Sequence, residues 1–193
     1  MPFSRIPRSS WTPTPWANGG GVTHELHRDG DPFDLRISVA IVGADGPFSH
    51  MPGIDRTIAL LDGAGFTLGR WDGGVDRVTE IGQPLTFSGD EPIECRLLDG
   101  PTLDWNLMVR RTSRPHHATR VVAGSPRAID AVAIFAIDAG ATLDLVRLDA
   151  FDLTLLDGPT TLRGDGQRLL VVATGRHAPV GAAHAGPSPT RPR

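Results

Sequence analysis

The chain has 193 residues, 39% of them apolar, and a formal net charge of -3; a core is affordable, while a basic face for gripping nucleic-acid phosphates is not. All cationic side chains are arginine, tyrosine is absent and Cys95 is the lone cysteine, which excludes lysine Schiff bases, P-loops, phenolic acid–base chemistry, intrachain disulfides and cysteine zinc clusters. No apolar run nears the roughly 20 residues that cross a bilayer, and the N-terminal Met-Pro-Phe-Ser-Arg-Ile-Pro-Arg lacks a signal-peptide apolar stretch, so a cytoplasmic address without membrane association is expected.

Taken in chain order, the first distinctive segment is Trp16-Ala17-Asn18-Gly19-Gly20-Gly21-Val22-Thr23. Three glycines cost chain entropy unless the backbone bends sharply or approaches something closely. Asn-Gly favours a hairpin turn, and the spacing fits neither a dinucleotide nor a phosphate loop. His24 and His27 follow, flanking Glu25; strict strand alternation puts the two histidines on opposite faces, a poor arrangement for chelation. Residues 35–41 alternate cleanly, with Arg36, Ser38 and Ala40 opposite Leu35, Ile37, Val39 and Ile41.

Next comes Gly46-Pro47-Phe48-Ser49-His50-Met51-Pro52-Gly53-Ile54-Asp55-Arg56, a stiff loop of the kind that holds binding residues. Strands are predicted over 57–61, 93–98 and 103–109. In the last of these, Asp104, Asn106, Met108 and Arg110 share the face opposite Trp105, Leu107 and Val109. A face carrying arginine and small polar groups reads either as a solvated outer surface or as a barrel mouth gripping a carboxylate. Residues 112–117 are polar and aperiodic and read as a crossover, with His116 and His117 solvated. Residues 131–137 and 169–173 are continuously apolar, as in strands covered on both faces, and 178–193 read as a disordered Pro/Ala/Gly tail.

Seven Asp-Gly pairs punctuate these segments, and Asp-Gly suits tight hairpins. Leu60-Leu61-Asp62-Gly63, Leu97-Leu98-Asp99-Gly100 and Leu155-Leu156-Asp157-Gly158 repeat one strand-then-turn unit. The first is followed by Thr67-Leu68-Gly69 and the third by the similar run from Thr161 to Gly164. Either the fold is internally duplicated or this is a common way to end a strand. No helical repeat persists over three turns, so an all-β sandwich or barrel is expected.

Several of these stretches together resemble the HutD/Ves family of bicupin proteins. The resemblance rests on the run from Trp16 to Glu25, Arg36-Ile37-Ser38-Val39-Ala40, and the Gly46–Arg56 loop. Phe87-Ser88-Gly89-Asp90 and Asp104-Trp105-Asn106-Leu107-Met108-Val109-Arg110 complete it. It implies an all-β bicupin fold of two cupin-like β-barrel halves with little helix. The first half (1–111) would carry the pocket, the second (112–177) would be mainly structural, and the tail would follow. It also implies a link to histidine utilisation and a non-catalytic role in sensing or buffering an anionic intermediate such as formylglutamate. The alternative is a metal-independent hydrolase or isomerase of a small carboxylate, with His50 or Glu25 as the general base.

Metal-binding cupins offer a further contrast. With Gly63 set against the last glycine of their first motif, Arg56 stands where their glutamate ligand would be. His50 lies near the histidine pair, with Pro52 in its other place. In their second motif, matched to Phe87-Ser88-Gly89-Asp90-Glu91-Pro92, proline replaces the histidine. A cation in a ligand position repels a divalent ion and attracts an anion, so no metal or other cofactor is expected. Arg36, Arg56 and Arg110 would hold the anion, and Asn18, Thr23, Ser49 and Asn106 would supply hydrogen bonds. Trp16 and Phe48 would form apolar walls. The expected partner is a small anionic metabolite, neither nucleic acid nor membrane, with room for a homodimer.

Overall fold

The structure, a computed structural model, describes residues 3–175; the expected tail at 178–193 lies outside them. Alternating strands bury one face and need a second layer to cover it. Here that requirement is met twice. A six-stranded sheet runs in the order Pro13–Pro15, Gly21–Asp29, Leu35–Val42, Thr102–Arg110, Ile54–Asp62, Leu85–Ser88. It shares a core with a four-stranded sheet of Gly46–Pro47, Ile93–Leu97, Phe66–Arg70 and Val75–Val78.

The second pair of sheets repeats this plan. Five strands are ordered Phe3–Ile6, Leu153–Leu156, Ala133–Ala136, Arg168–Thr174, His116–Val122. Four short ones face them: Arg127–Ile129, Thr160–Arg163, Thr142–Leu143 and Val146–Arg147. The result is two cupin-like halves, each a pair of facing sheets rather than a continuously hydrogen-bonded barrel. The only helix among the described residues is the 3-10 turn Arg8–Ser10, and none is long and apolar enough to cross a membrane.

The repeated Leu-Leu-Asp-Gly unit has a structural meaning. Its first copy ends Ile54–Asp62 in the large sheet and leads to Phe66–Arg70 in the small one. Its third copy does the same between Leu153–Leu156 and Thr160–Arg163. It marks the point where each half passes from one sheet to the other.

Three apolar clusters organise the molecule. One fills the first half between its sheets (Ile58, Leu60, Phe66, Leu68, Ile93). A second fills the other half (Ile134, Leu143, Leu162, Leu169). The third joins the two large sheets back to back, with Ile37, Val39, Trp105 and Leu107 from one and Phe135, Leu153, Leu170 and Val172 from the other. The apolar face of residues 103–109 is therefore spent on the junction between halves, which leaves the opposite face of that strand for the interior of the first half.

Two expectations are corrected here. His116 and His117 are not a solvated crossover: the strand begins at His116 and pairs it with Thr174. Both are half-buried, and His117 Nδ1 lies 3.0 Å from the Gly175 carbonyl. Polar residues hid this strand because it sits at the edge of its sheet, where side chains need not be apolar. His24 and His27 also fail to alternate. A bulge shifts the register between Glu25 and His27, so that they face Val39 and Ile37, which lie on one side of the sheet.

Candidate functional site

The site is built on three adjacent strands and two loops. Antiparallel register aligns Arg36, Met108 and Arg56 in one rung across the large sheet. Ser38, Asn106 and Ile58 form the next rung, then Ala40, Asp104 and Leu60. Cross-strand partners point the same way, so the rungs pave one floor. It runs about 13 Å from the arginines to Asp104, at some 3.3 Å per residue. Over it lies a cavity of about 580 Å³, within the usual range for small-molecule sites.

One wall is the glycine-rich turn. Trp16 N donates to the Gly21 carbonyl, Gly19 N donates to the Trp16 carbonyl, and Asn18 Oδ1 accepts from Gly20 N. The Trp16 ring packs closely on Gly21. A Cβ there would meet the Ile41 carbonyl at 2.5 Å and the ring at 2.9 Å, which is why no larger residue serves. Trp16 Nε1 then donates to Thr23 Oγ1 at 2.8 Å, fixing the indole at the cavity edge.

The other wall is the loop from Pro47 to Met51. It is tied down at Gly89 and Asp90. Met51 N donates to the Gly89 carbonyl, Gly53 N donates to Asp90 Oδ1, and His50 Nε2 lies 3.1 Å from the Asp90 carbonyl. Arg111 clamps the same corner, bonded to Asp55, Asp90 and Ser88. The Gly53 amide, then Arg111 and Ser88, hold the Asp90 carboxyl down at about 2.

Electrostatically the two ends of the floor differ. Arg56 is 7% exposed and belongs to no ion pair among the described residues. Its guanidinium lies 4.9 Å from the Phe48 ring centre and 5.1 Å from that of Phe87. Among the described residues its guanidinium has one hydrogen-bond partner, the Ser49 carbonyl at 3.2 Å from NH1, and its Nε has none. Burial, then the charge of Arg36, pulls it down to about 10; it stays a cation at neutral pH. Arg36 is partly neutralised, donating to Glu25 at 2.5 Å. Burial works against the Glu25 carboxylate, yet Arg28 and Arg36 hold it below its usual range, which makes it a poor base.

At the far end Asp104 is fully buried. Thr102 Oγ1 donates to its Oδ2 at 3.0 Å, and Oδ1 has no partner. Burial pushes this carboxyl up to about 7, opposed by the Thr102 bond.

The cavity brings together Trp16, Asn18, Thr23, Arg36, Phe48, Ser49, Arg56 and Asn106 of the expected set, with His50 at its edge. Arg110 is not among its lining and opens instead onto a second, smaller cavity with Asp55, Arg111 and His116. It is the last residue of its strand, where the pleat ends, and its Nε turns to the Phe33 carbonyl at 3.1 Å. Two contributors lay outside the expected ligand set. Alternation places Asp104 on the Asn106 face without giving it a role; the Arg111–Asp90 clamp joins residues with no local spacing to betray them. Among the described residues no group of three or more His, Cys, Asp or Glu is placed to hold a metal.

With this geometry in view, the comparisons with known proteins fall into place. The HutD family model matches residues 8–176. Protein Ves of Cronobacter sakazakii (strain ATCC BAA-894) is 41% identical over 100 residues, 50% of this chain and 54% of that one. An uncharacterized 21.2 kDa protein in the hutC 3′ region of Pseudomonas putida is 39% identical over 98 residues, 49% and 51% respectively. The chain thus spans about half the length of the curated relatives it matches. Among solved structures, HutD from Pseudomonas fluorescens SBW25 (formate condition) superposes with a TM-score of 0.77 at 26% identity, covering 90% of this chain and 99% of that one. A conserved protein of unknown function from Pseudomonas aeruginosa PAO1 gives 0.80 at 26% identity, over 91% and 100%. Ylba from E. coli, at 8% identity and 0.69 over 91% and 92%, shares the fold alone.

Proposed function

From the premise that this chain belongs to the HutD family, which is linked to the histidine-utilisation region, we propose that it binds a small anionic intermediate of histidine degradation, formylglutamate-like, without turning it over. The observation that carries this reading is Arg56: a buried guanidinium, lining a cavity, with no carboxylate among the described residues to answer it. Leaving a charge buried and unpaired is expensive, and a ligand carboxylate relieves that cost with a two-pronged hydrogen bond. Phe48 and Phe87, themselves packed ring to ring, both lie against the cation, so its donors are oriented before the anion arrives. Ser49, Asn18 and Asn106 border the same space and supply polar contacts for the remaining ligand oxygens.

The non-catalytic side of the reading is supported by Glu25, one of the two candidate bases, which is occupied by two arginines. A thermal-shift series with formylglutamate, formate, urocanate, histidine and glutamate, each with and without EDTA, tests it. Ligand at a hundred times its dissociation constant stabilises by about 2.7 kcal/mol, or roughly 5–10 °C in a chain of this size. A selective shift with an acidic compound, unchanged by EDTA and without product after prolonged incubation, is expected. No shift with any acid overturns the anion pocket, and product formation overturns the non-catalytic reading.

A further inference from the structure

Asp104 has no place in a site that merely grips an anion with arginine. It is fully buried at the opposite end of the floor from Arg56, it borders the cavity, and its Oδ1 lacks a partner among the described residues. A carboxylate there would repel an anionic ligand and would meet the ligand's second oxygen as acceptor against acceptor. A protonated carboxyl removes both conflicts, because its O–H donates where the carboxylate could only accept.

We propose that the cavity takes up one proton, on Asp104, when it takes its anion, so that the ligand is held at one end by Arg56 and at the other by a hydrogen bond from the neutral Asp104 carboxyl. The proton comes from solvent. The inference rests on the anion-binding reading above and narrows it. The ligand class becomes short acids with a second oxygen acceptor distant from the first carboxylate, namely dicarboxylates and N-acyl amino acids.

The surroundings of Asp104 favour the neutral form, opposed by the Thr102 hydrogen bond alone. Ala40 and Leu60 flank it on the adjacent strands and carry no charge, while Arg36 and Arg56 stand two rungs away. From the facing sheet comes Cys95, whose thiol is pushed up to about 12 by burial and then by Asp104 itself, Asp45 and Glu94. Thr23 and His50 border the cavity from the remaining elements. No cation touches the carboxyl, and an anion arriving in a low-dielectric space raises its proton affinity further. With the empty-site carboxyl at about 7, the sign is fixed. Below pH 7 the proton is already present and affinity is flat. Above it each ligand must bring one proton, and affinity falls about tenfold per pH unit.

Isothermal titration with N-formylglutamate as probe, from pH 6 to pH 8.5 in paired buffers of different ionisation heat, tests this. The expected result is close to one proton taken up per ligand at pH 8 and a dissociation constant rising about tenfold per unit above pH 7. Asp104→Asn keeps a permanent N–H donor, so it binds with no proton uptake and a flat pH profile. Uptake lost in Asp104→Asn assigns the proton to that carboxyl rather than to His50, and uptake that persists in the variant overturns the assignment. Should Asp104→Asn fail to fold, the proton count of the wild-type protein decides alone. Binding without proton uptake at pH 8, or affinity that rises with pH, overturns the inference while sparing the anion pocket. Absence of binding overturns both.

Discussion

Arg56 carries a charge that the folded protein leaves unanswered, and that sets stability against function at a single residue. Replacing Arg56 with Met keeps an unbranched apolar stem against Phe48 and Phe87 while removing the buried cation. By analogy with buried charges exchanged for apolar side chains, the variant should gain about 1–4 kcal/mol. It should also lose about 2–5 kcal/mol of anion affinity, the cost of deleting a desolvated charged partner. Chemical denaturation and titration calorimetry on the same preparation check both. A variant that is less stable yet still binds would contradict this account. Much of this residue-level picture was legible in the sequence: period-two alternation put Arg36, Ser38 and Asn106 on one floor, and the proline-bounded loop pointed to Phe48 and Ser49. Alternation stopped being a guide where the pleat stopped, which is why Arg110 was grouped with residues it does not join.

Among the elements, the Pro47–Met51 wall depends on a contact that leaves no trace in local sequence. A Cβ on Gly89 would lie 2.5 Å from the Met51 carbonyl and 2.7 Å from that of Ile54. Both are backbone atoms that cannot swing aside. Gly89→Ala should therefore push the loop outward, costing about 1–3 kcal/mol of stability and weakening ligand binding at least tenfold while the remaining sheets persist. Amide exchange checks it: protection should fall at Met51 and Gly53 and hold at Leu107. The strands themselves were readable, and 35–41, 57–61 and 93–98 fall inside or within one residue of the observed ones. The bulge at Leu26 and the polar edge strand His116–Val122 were not, since a bulge adds one residue without altering composition and an edge strand has only one neighbour to satisfy.

For the molecule as a whole, the back-to-back junction makes the two halves energetically one body. Phe135 is completely buried at that junction, with ring centres 6.5 Å from Trp11, 6.3 Å from Trp105 and 6.1 Å from Phe151. Phe135→Ala should cost about 3–5 kcal/mol and lower a single calorimetric transition rather than split it. Two separate transitions would show that the halves unfold independently. The two-half plan was visible in the repeated Leu-Leu-Asp-Gly unit, whereas the contact between the halves lies in tertiary packing that alternation only hints at, through apolar faces larger than one core requires.

The strand Phe3–Ile6 pairs with Leu153–Leu156, and Arg5 Nε donates to the buried Asp152 across 147 residues of sequence at 2.7 Å. On a ribosome adding about 5–20 residues per second, the Phe3–Ile6 segment emerges some 7–30 s before its partner exists. In that interval it forms a bare strand edge, open to any extended chain nearby. Its defences are already built in: four residues of length, an arginine within, and Pro7 immediately after. The seam between the two strands thus closes only after the whole of the intervening chain has been made.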